Sequence, residues 1–264
     1  MPLRRSNMYN DWLTIGRFTI HGYGVMIAIG ILFGFAFAER QAKKHGLSSD
    51  YVDNIIFIAI GFGYVCAKLT YVLVNWQLFL SNPKAVLGSG GWVVYGGILG
   101  GILAAYVYCR MRNLKFKSYF DLMLPGVALA QAFGRVGCFF AGCCYGIETH
   151  SHFGVTFPAH SLAPSGVPLV PTQLLSALGD FIIFLVLYRI YENEKTRNYT
   201  GAGYLVLYSL GRFLIEFLRG DVERGYIGFL STSQFISVFM MLAGVILIMK
   251  LRSTQNGNQS DMIE

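Results

Sequence analysis

The chain has 264 residues, of which 54% are hydrophobic and 13% charged, with a mean hydropathy of +0.50. Soluble domains carry about 25% charged residues, so this composition disfavours a soluble enzyme, a disordered chain and a disulfide-stapled secreted domain, and leaves a polytopic membrane protein. The net charge of +7 is scattered over the ends of apolar runs, where cations meet lipid headgroups, so nucleic acid is not an expected partner.

A membrane-crossing helix needs about 20 mostly apolar residues. Seven stretches qualify in chain order: Ile20–Ala38, Ile55–Val74, Val93–Cys109, Leu122–Ala141, Thr172–Tyr188, Ala202–Leu218 and Ile227–Met249. None alternates with the period of a barrel strand, and open sheet edges are too costly in lipid. The expected fold is all-α, a single seven-helix transmembrane domain over residues 1–250, with a disordered tail over 251–264.

Orientation follows from the basic residues of the connections. One side holds Arg4, Arg5, Arg17, Lys84, Arg219 and Arg224. The other holds Arg40, Lys43, Lys44, Arg110, Arg112, Lys115, Lys117, Arg189, Lys195, Arg197, Lys250 and Arg252. The second side is twice as basic, which puts the N-terminus outside and the C-terminus in the cytoplasm. The fourth connection, residues 142–170, is then external; it carries three prolines and no Lys or Arg, so it should be irregular.

Lys68, Arg135, Arg212, Asp180 and Glu216 fall inside spans. Each costs about 2.5–3.5 kcal/mol at mid-span on insertion scales, so such residues face a bundle interior or a wet cavity and mark function. In span six, Tyr208, Arg212 and Glu216 are spaced four apart and Arg219 follows three later, which stacks them on one helix face. Arg212 and Glu216 could be a self-satisfied ion pair; the alternative is that Glu216 aims Arg212 at an anion, for which a forked guanidinium is suited.

Span four ends in GRVGCFFAGCCYG (134–146), whose glycines should interrupt the helix and let backbone approach a ligand near Arg135. Span three opens with GGWVVYGGILGG (90–101), where the paired glycines form a seam for close helix packing, with Tyr95 at its end. Cys138, Cys143 and Cys144 match no zinc spacing, so no metal site is assigned; a disulfide or thiol redox role stays open. Cys66 and Cys109 read as packing residues, and His150, His152 and His160 as solvated loop histidines.

Six ordered segments resemble the prolipoprotein diacylglyceryl transferases of bacterial plasma membranes. They are IGRFTIHGYGVM (15–26), CAKLTYVL (66–73), VVYGGILGG (93–101), GRVGCFFAGCCYG, VPTQLL (170–175) and LYSLGRFLIEFLRGD (207–221). The resemblance implies a multi-pass plasma-membrane enzyme that moves diacylglyceryl from phosphatidylglycerol to the lipobox cysteine thiol of a prolipoprotein, releasing glycerol phosphate and using no cofactor. It implies Arg135, Arg212, Glu216 and Tyr95 as catalytic residues. Tyr23, Lys68, Gly97, Gly134, Gly137, Cys138, Tyr208 and Arg219 would bind substrate.

The chain departs from the family pattern at several of these places. Tyr95 stands where many members have a histidine proposed as base, and Lys68 where arginine is usual. Cys138 and Ala141 replace asparagines, and Cys143 a glutamate. Val170, Leu175 and Ser176 replace histidine, tyrosine and glutamate. A related transferase with another acceptor, or a non-enzymatic lipid or anion transporter, are the alternative readings; no inverted repeat supports the transporter.

Overall fold

The computed structural model describes residues 10–16, 18–159, 161–221 and 225–260, with side chains up to 254. Arg4, Arg5, Arg17, His160 and Arg224 lie outside the described residues.

In chain order, strands β1 (Asp11–Ile15) and β2 (Phe18–His21) form an antiparallel hairpin that leads into helix α1 (Gly22–Lys44). Helix α2 is Ser49–Val74, followed by two short helices, α3 (Trp76–Ser81) and α4 (Pro83–Gly88). Asn82 starts α4 by accepting a hydrogen bond from the Ala85 N–H at 3.1 Å, with Pro83 in the first turn, where its missing N–H costs nothing. Helices α5 (Val94–Met111) and α6 (Phe116–Ala141) come next. A second hairpin pairs β3 (Val155–Thr156) with β4 (Pro168–Leu169). Helix α7 (Thr172–Glu192) and a 3₁₀ turn (Arg197–Tyr199) lead into α8 (Thr200–Ile215), which tightens into a 3₁₀ turn at Glu216–Leu218. The third hairpin, β5 (Tyr226–Ile227) with β6 (Leu230–Ser231), precedes α9 (Thr232–Ser260).

Among the described residues, seven helices are long and apolar enough to cross a membrane, each overlapping one of the seven expected stretches. Three differences stand out. Ile20 and His21 belong to β2, so the first span starts at Gly22. Gly134 and Gly137 do not interrupt span four: α6 is continuous to Ala141, and the chain turns at Gly142, with φ +72°. A helix in lipid keeps its own backbone bonds, which outweighs the propensity cost of glycine. The backbone of α9 continues past Lys250 to Ser260, where irregular chain was expected.

The chain clusters into two compact units. One comprises Met1–Gly34 with Asp121–Glu264, the other Phe35–Phe120. In the first, α1 lies against α6 backbone to backbone. A Cβ on Gly34 would sit 2.8 Å from the Gly126 carbonyl, and one on Gly126 2.8 Å from the Gly34 carbonyl, so neither position admits a side chain. Ala128 of α6 and Ile183 and Leu187 of α7 are buried together, with Tyr204, Leu207 and Tyr208 of α8 packed on them. In the second unit the glycine seam is realised. Gly97 and Gly101 face backbone of α2 at Gly63 and Ala59, and Gly100 faces Cys66.

Polarity is inverted relative to a soluble protein. Leu32, Phe57, Leu69, Leu99, Leu103 and Leu178 are exposed, while Asp121, Gln173, Asp180, Thr200, Ser209 and Glu216 are buried. Outward apolar faces suit a hydrocarbon solvent, and the buried polar groups mark where internal partners or ligands are needed.

The connection 142–170 is more ordered than expected. Phe157, Ala163 and Leu169 form its own small core, on which Phe139 and Tyr145 pack. Ile147 N–H donates to the Leu218 carbonyl at 2.9 Å and Gly220 N–H to the Tyr145 carbonyl at 3.0 Å, stitching the loop to the end of α8.

Candidate functional site

One cavity of about 240 Å³ in the first unit is walled by α6, α7 and α8. Arg135 comes from α6. Ser176, Gly179, Asp180 and Ile183 come from one face of α7, and Tyr208, Gly211, Arg212 and Ile215 from one face of α8. These spacings of three and four are what a helix face provides. A Cβ at Gly179 would meet nothing within 4 Å, so this glycine leaves room in the wall.

The two guanidiniums are held differently. Arg212 Nη2 lies 2.9 Å from Glu216 Oε2, one turn on, and donates to Ser233 Oγ of α9 at 2.8 Å. Arg135 Nε lies 3.7 Å from Asp180 Oδ2, and among the described residues no hydrogen bond engages the Arg135 side chain. Asp180 Oδ2 is likewise buried with no hydrogen-bond partner among the described residues. A loose pair of this kind leaves a guanidinium with most of its donors available to a ligand. Arg135, Arg212 and Asp180 face the cavity, with Glu216 behind Arg212, so the guanidinium donors not used by the two carboxylates are the groups that could meet an anion.

Around this wall, Tyr208 stacks on Tyr204 with ring centroids 5.5 Å apart, and Tyr204 donates its hydroxyl to Gln131 Oε1 at 3.0 Å. Arg219 lies 3.9 Å from Glu216 Oε2 and forms a forked pair with Asp221, whose carboxylate helps keep the guanidinium protonated against the opposing effect of burial. Tyr23 lies in the first turn of α1, where its backbone carbonyl and ring lie against Gly137; a Cβ at Gly137 would be 3.1 Å from the Tyr23 carbonyl. Asn10 Oδ1 accepts from the Tyr23 N–H at 3.0 Å and fixes that start.

The first unit therefore brings Arg135, Tyr208 and Arg212 onto one cavity, with Glu216 and Arg219 tied to its edge. A Cβ at Gly134 would meet nothing within 4 Å. Lys68, Tyr95 and Gly97 belong to the second unit. There, Lys68 Nζ donates to the Ser89 carbonyl at 2.8 Å and the Gly91 carbonyl at 3.3 Å, and lies 4.8 Å from the Trp92 ring centroid. Tyr95 is exposed in the first turn of α5, and Gly97 lies against Gly63.

Sequence reasoning marked Asp180 only as an intramembrane acid and missed Ser233. The signal for Asp180 was its charge inside an apolar span; Ser233 carries none.

Cys138, Cys143 and Cys144 are free, and their Sγ atoms lie within 4.8 Å of one another. The Cys143 thiol points at the Cys138 carbonyl, 3.8 Å away.

A helical protein with seven apolar spans among its described residues and two half-buried guanidiniums on one cavity is, by class, a multi-pass integral membrane protein. The sequence is matched over residues 11–250 by the family model described as prolipoprotein diacylglyceryl transferase. A Clostridium tetani protein named phosphatidylglycerol–prolipoprotein diacylglyceryl transferase is 42% identical over 228 residues, 86% of this chain and 91% of that protein. One from Clostridium perfringens, named as the second such transferase, is 41% identical over 86% of this chain and 90% of its own length. One of the same name from Clostridioides difficile is 36% identical over 92% and 98%. The chain belongs to the prolipoprotein diacylglyceryl transferase family.

Proposed function

We propose that this protein transfers the diacylglyceryl group of phosphatidylglycerol to the lipobox cysteine thiol of prolipoproteins in a bacterial plasma membrane. The observation that carries the reading is the convergence of Arg135 and Arg212 on one headgroup-sized cavity. Family membership and the names of the relatives support the substrates.

The chemistry asks for this wall. The acceptor thiolate attacks the glyceryl carbon bound to the phosphate oxygen, the C–O bond breaks, and the phosphodiester, with one charge, leaves as a phosphomonoester with two. Fixed cations in a low-dielectric site stabilise that developing charge without reorganising, usually the largest single catalytic effect. Arg135, loosely paired, takes the phosphate; Arg212, oriented by Glu216 and Ser233, takes the same phosphate from α8. Tyr208 and Arg219 border the headgroup, and Tyr23, Gly134, Gly137 and Cys138 serve the substrates. The N-terminus and the 142–170 connection face outward, where translocated prolipoproteins present their cysteine.

Complementation tests the function. Expression in a strain depleted of its own transferase restores growth and lipoprotein modification. Arg135→Ala and Arg212→Ala, expressed in the membrane at normal levels, do not. Failure of the unsubstituted chain to modify any prolipoprotein overturns the reading.

A further inference from the structure

The three-cysteine cluster at the end of α6 is built, and the phosphate cavity, whose lining includes none of the three, leaves Cys143 and Cys144 without a role. Cys138 lies three residues after Arg135 on α6. Gly142, with φ +72°, reverses the chain, and Cys143 N–H returns to the Cys138 carbonyl at 3.2 Å. Cys144 is held at φ +58°, a left-handed conformation that a side chain disfavours. Two side chains of α7, both 1% exposed, pin the turn. Thr172 Oγ1 donates to the Cys144 carbonyl at 2.7 Å and Gln173 Nε2 to the Cys143 carbonyl at 2.8 Å. The result is three sulfurs within 4.8 Å of one another, drawn from the helix end and from a clamped loop.

We propose that Cys138, Cys143 and Cys144 form a three-thiolate site for a soft divalent cation of the zinc class, whose fourth position takes the acceptor thiol. The acceptor half rests on the transferase reading above. Cysteine sulfur selects soft ions, and zinc held by three protein ligands keeps one tetrahedral position for water or substrate. Zinc–sulfur bonds of about 2.3 Å put tetrahedral sulfurs roughly 3.8 Å apart, a small contraction of the observed trio. Three thiolates and one divalent cation carry a net negative charge of one. The sequence alone assigned no metal because Cys-x4-Cys-Cys is not a ligand spacing; the turn at Gly142 makes it one.

The step balances. The acceptor thiol binds the cation as a thiolate and releases its proton to water. Its sulfur electron pair forms the S–C bond to the glyceryl carbon as that carbon's bond to the phosphate ester oxygen breaks. That bonding pair leaves on the phosphate oxygen, and glycerol phosphate departs with the extra negative charge. The product thioether is a poorer ligand than a thiolate and leaves.

The test uses the full chain purified in detergent, stripped with chelator and titrated with Co2+. The expected result is one tightly bound Co2+ per chain with thiolate charge-transfer and tetrahedral ligand-field bands. These are lost in Cys143→Ser and in Cys144→Ser, each shown to remain folded by thermal unfolding. A lipobox peptide then intensifies the charge-transfer band, and its Cys→Ser version does not. Chelated protein loses at least tenfold in diacylglyceryl transfer, and Zn2+ restores it. Absent bands, bands that survive both substitutions, or a spectrum indifferent to the peptide thiol overturn the inference. So does full transfer by chelated protein, which leaves the transferase reading intact. Peptide-responsive Co2+ binding in a chain that transfers nothing defeats the transferase reading instead.

Discussion

Arg212 and Arg135 share a cavity but not a mode of attachment, and that difference sets what each substitution does. Arg212 is anchored by a 2.9 Å contact to Glu216 and a 2.8 Å bond to Ser233, so its direction depends on them. Glu216→Gln removes the carboxylate charge that orients Arg212 and should lower kcat/KM for phosphatidylglycerol by at least about tenfold, roughly 1.4 kcal/mol or more. Ser233→Ala should cost less. Initial rates with labelled lipid measure both, and unchanged rates in Glu216→Gln remove its positioning role. Gly179 lines the cavity with open space at its Cβ, so Gly179→Leu should leave the fold intact while filling the headgroup space and abolishing lipid binding. At this scale the sequence was informative where partners share a helix: Tyr208, Arg212 and Glu216 are legible from their spacing of four. Asp180 meets Arg135 from another helix, and no spacing in a single chain encodes that pairing.

Between elements, glycine decides how closely helices approach. Gly101 faces the Ala59 carbonyl, and a Cβ there would lie 2.8 Å from it. Gly101→Ala should therefore destabilise the α2–α5 pair by about 1–3 kcal/mol, the usual cost of overpacking. On α2 itself, Gly61 has nothing within 4 Å, so Gly61→Ala should be neutral or stabilising by about 0.5–1 kcal/mol. Unfolding midpoints in detergent compare the two; equal shifts contradict the packing account. The paired glycines of span three announced a seam, but not that α2 would be the partner. The hairpin inside 142–170 was not legible either. Two-residue strands carry no periodicity, and β3 and β4 exist because Val155 finds Leu169 fourteen positions away. Gly134 and Gly137 were over-read: loop-forming in water, they are held in α6 by the need to satisfy backbone groups in lipid.

For the molecule as a whole, composition was the most legible feature. Half the usual charge dictates a chain whose apolar residues face out, and Leu32, Phe57 and Leu99 do so while Asp180 and Glu216 are buried. The bias of basic residues predicts which side each loop occupies. With single cysteines at exposed loop positions, a membrane-impermeant maleimide should label Ser151→Cys in intact cells and Asn193→Cys only after permeabilisation. The reverse pattern inverts the topology.

The central claim is that both guanidiniums grip one phosphate. A double-mutant cycle measures it: the affinity of phosphatidylglycerol for the unsubstituted chain, Arg135→Ala, Arg212→Ala and the double variant in lipid nanodiscs. Each single substitution should weaken binding at least tenfold, and the double variant should lose clearly less than the sum of the two, because residues sharing a ligand couple by about 0.5–3 kcal/mol. Strictly additive losses, or unaltered affinity in either single variant, would mean that the arginines serve separate ends.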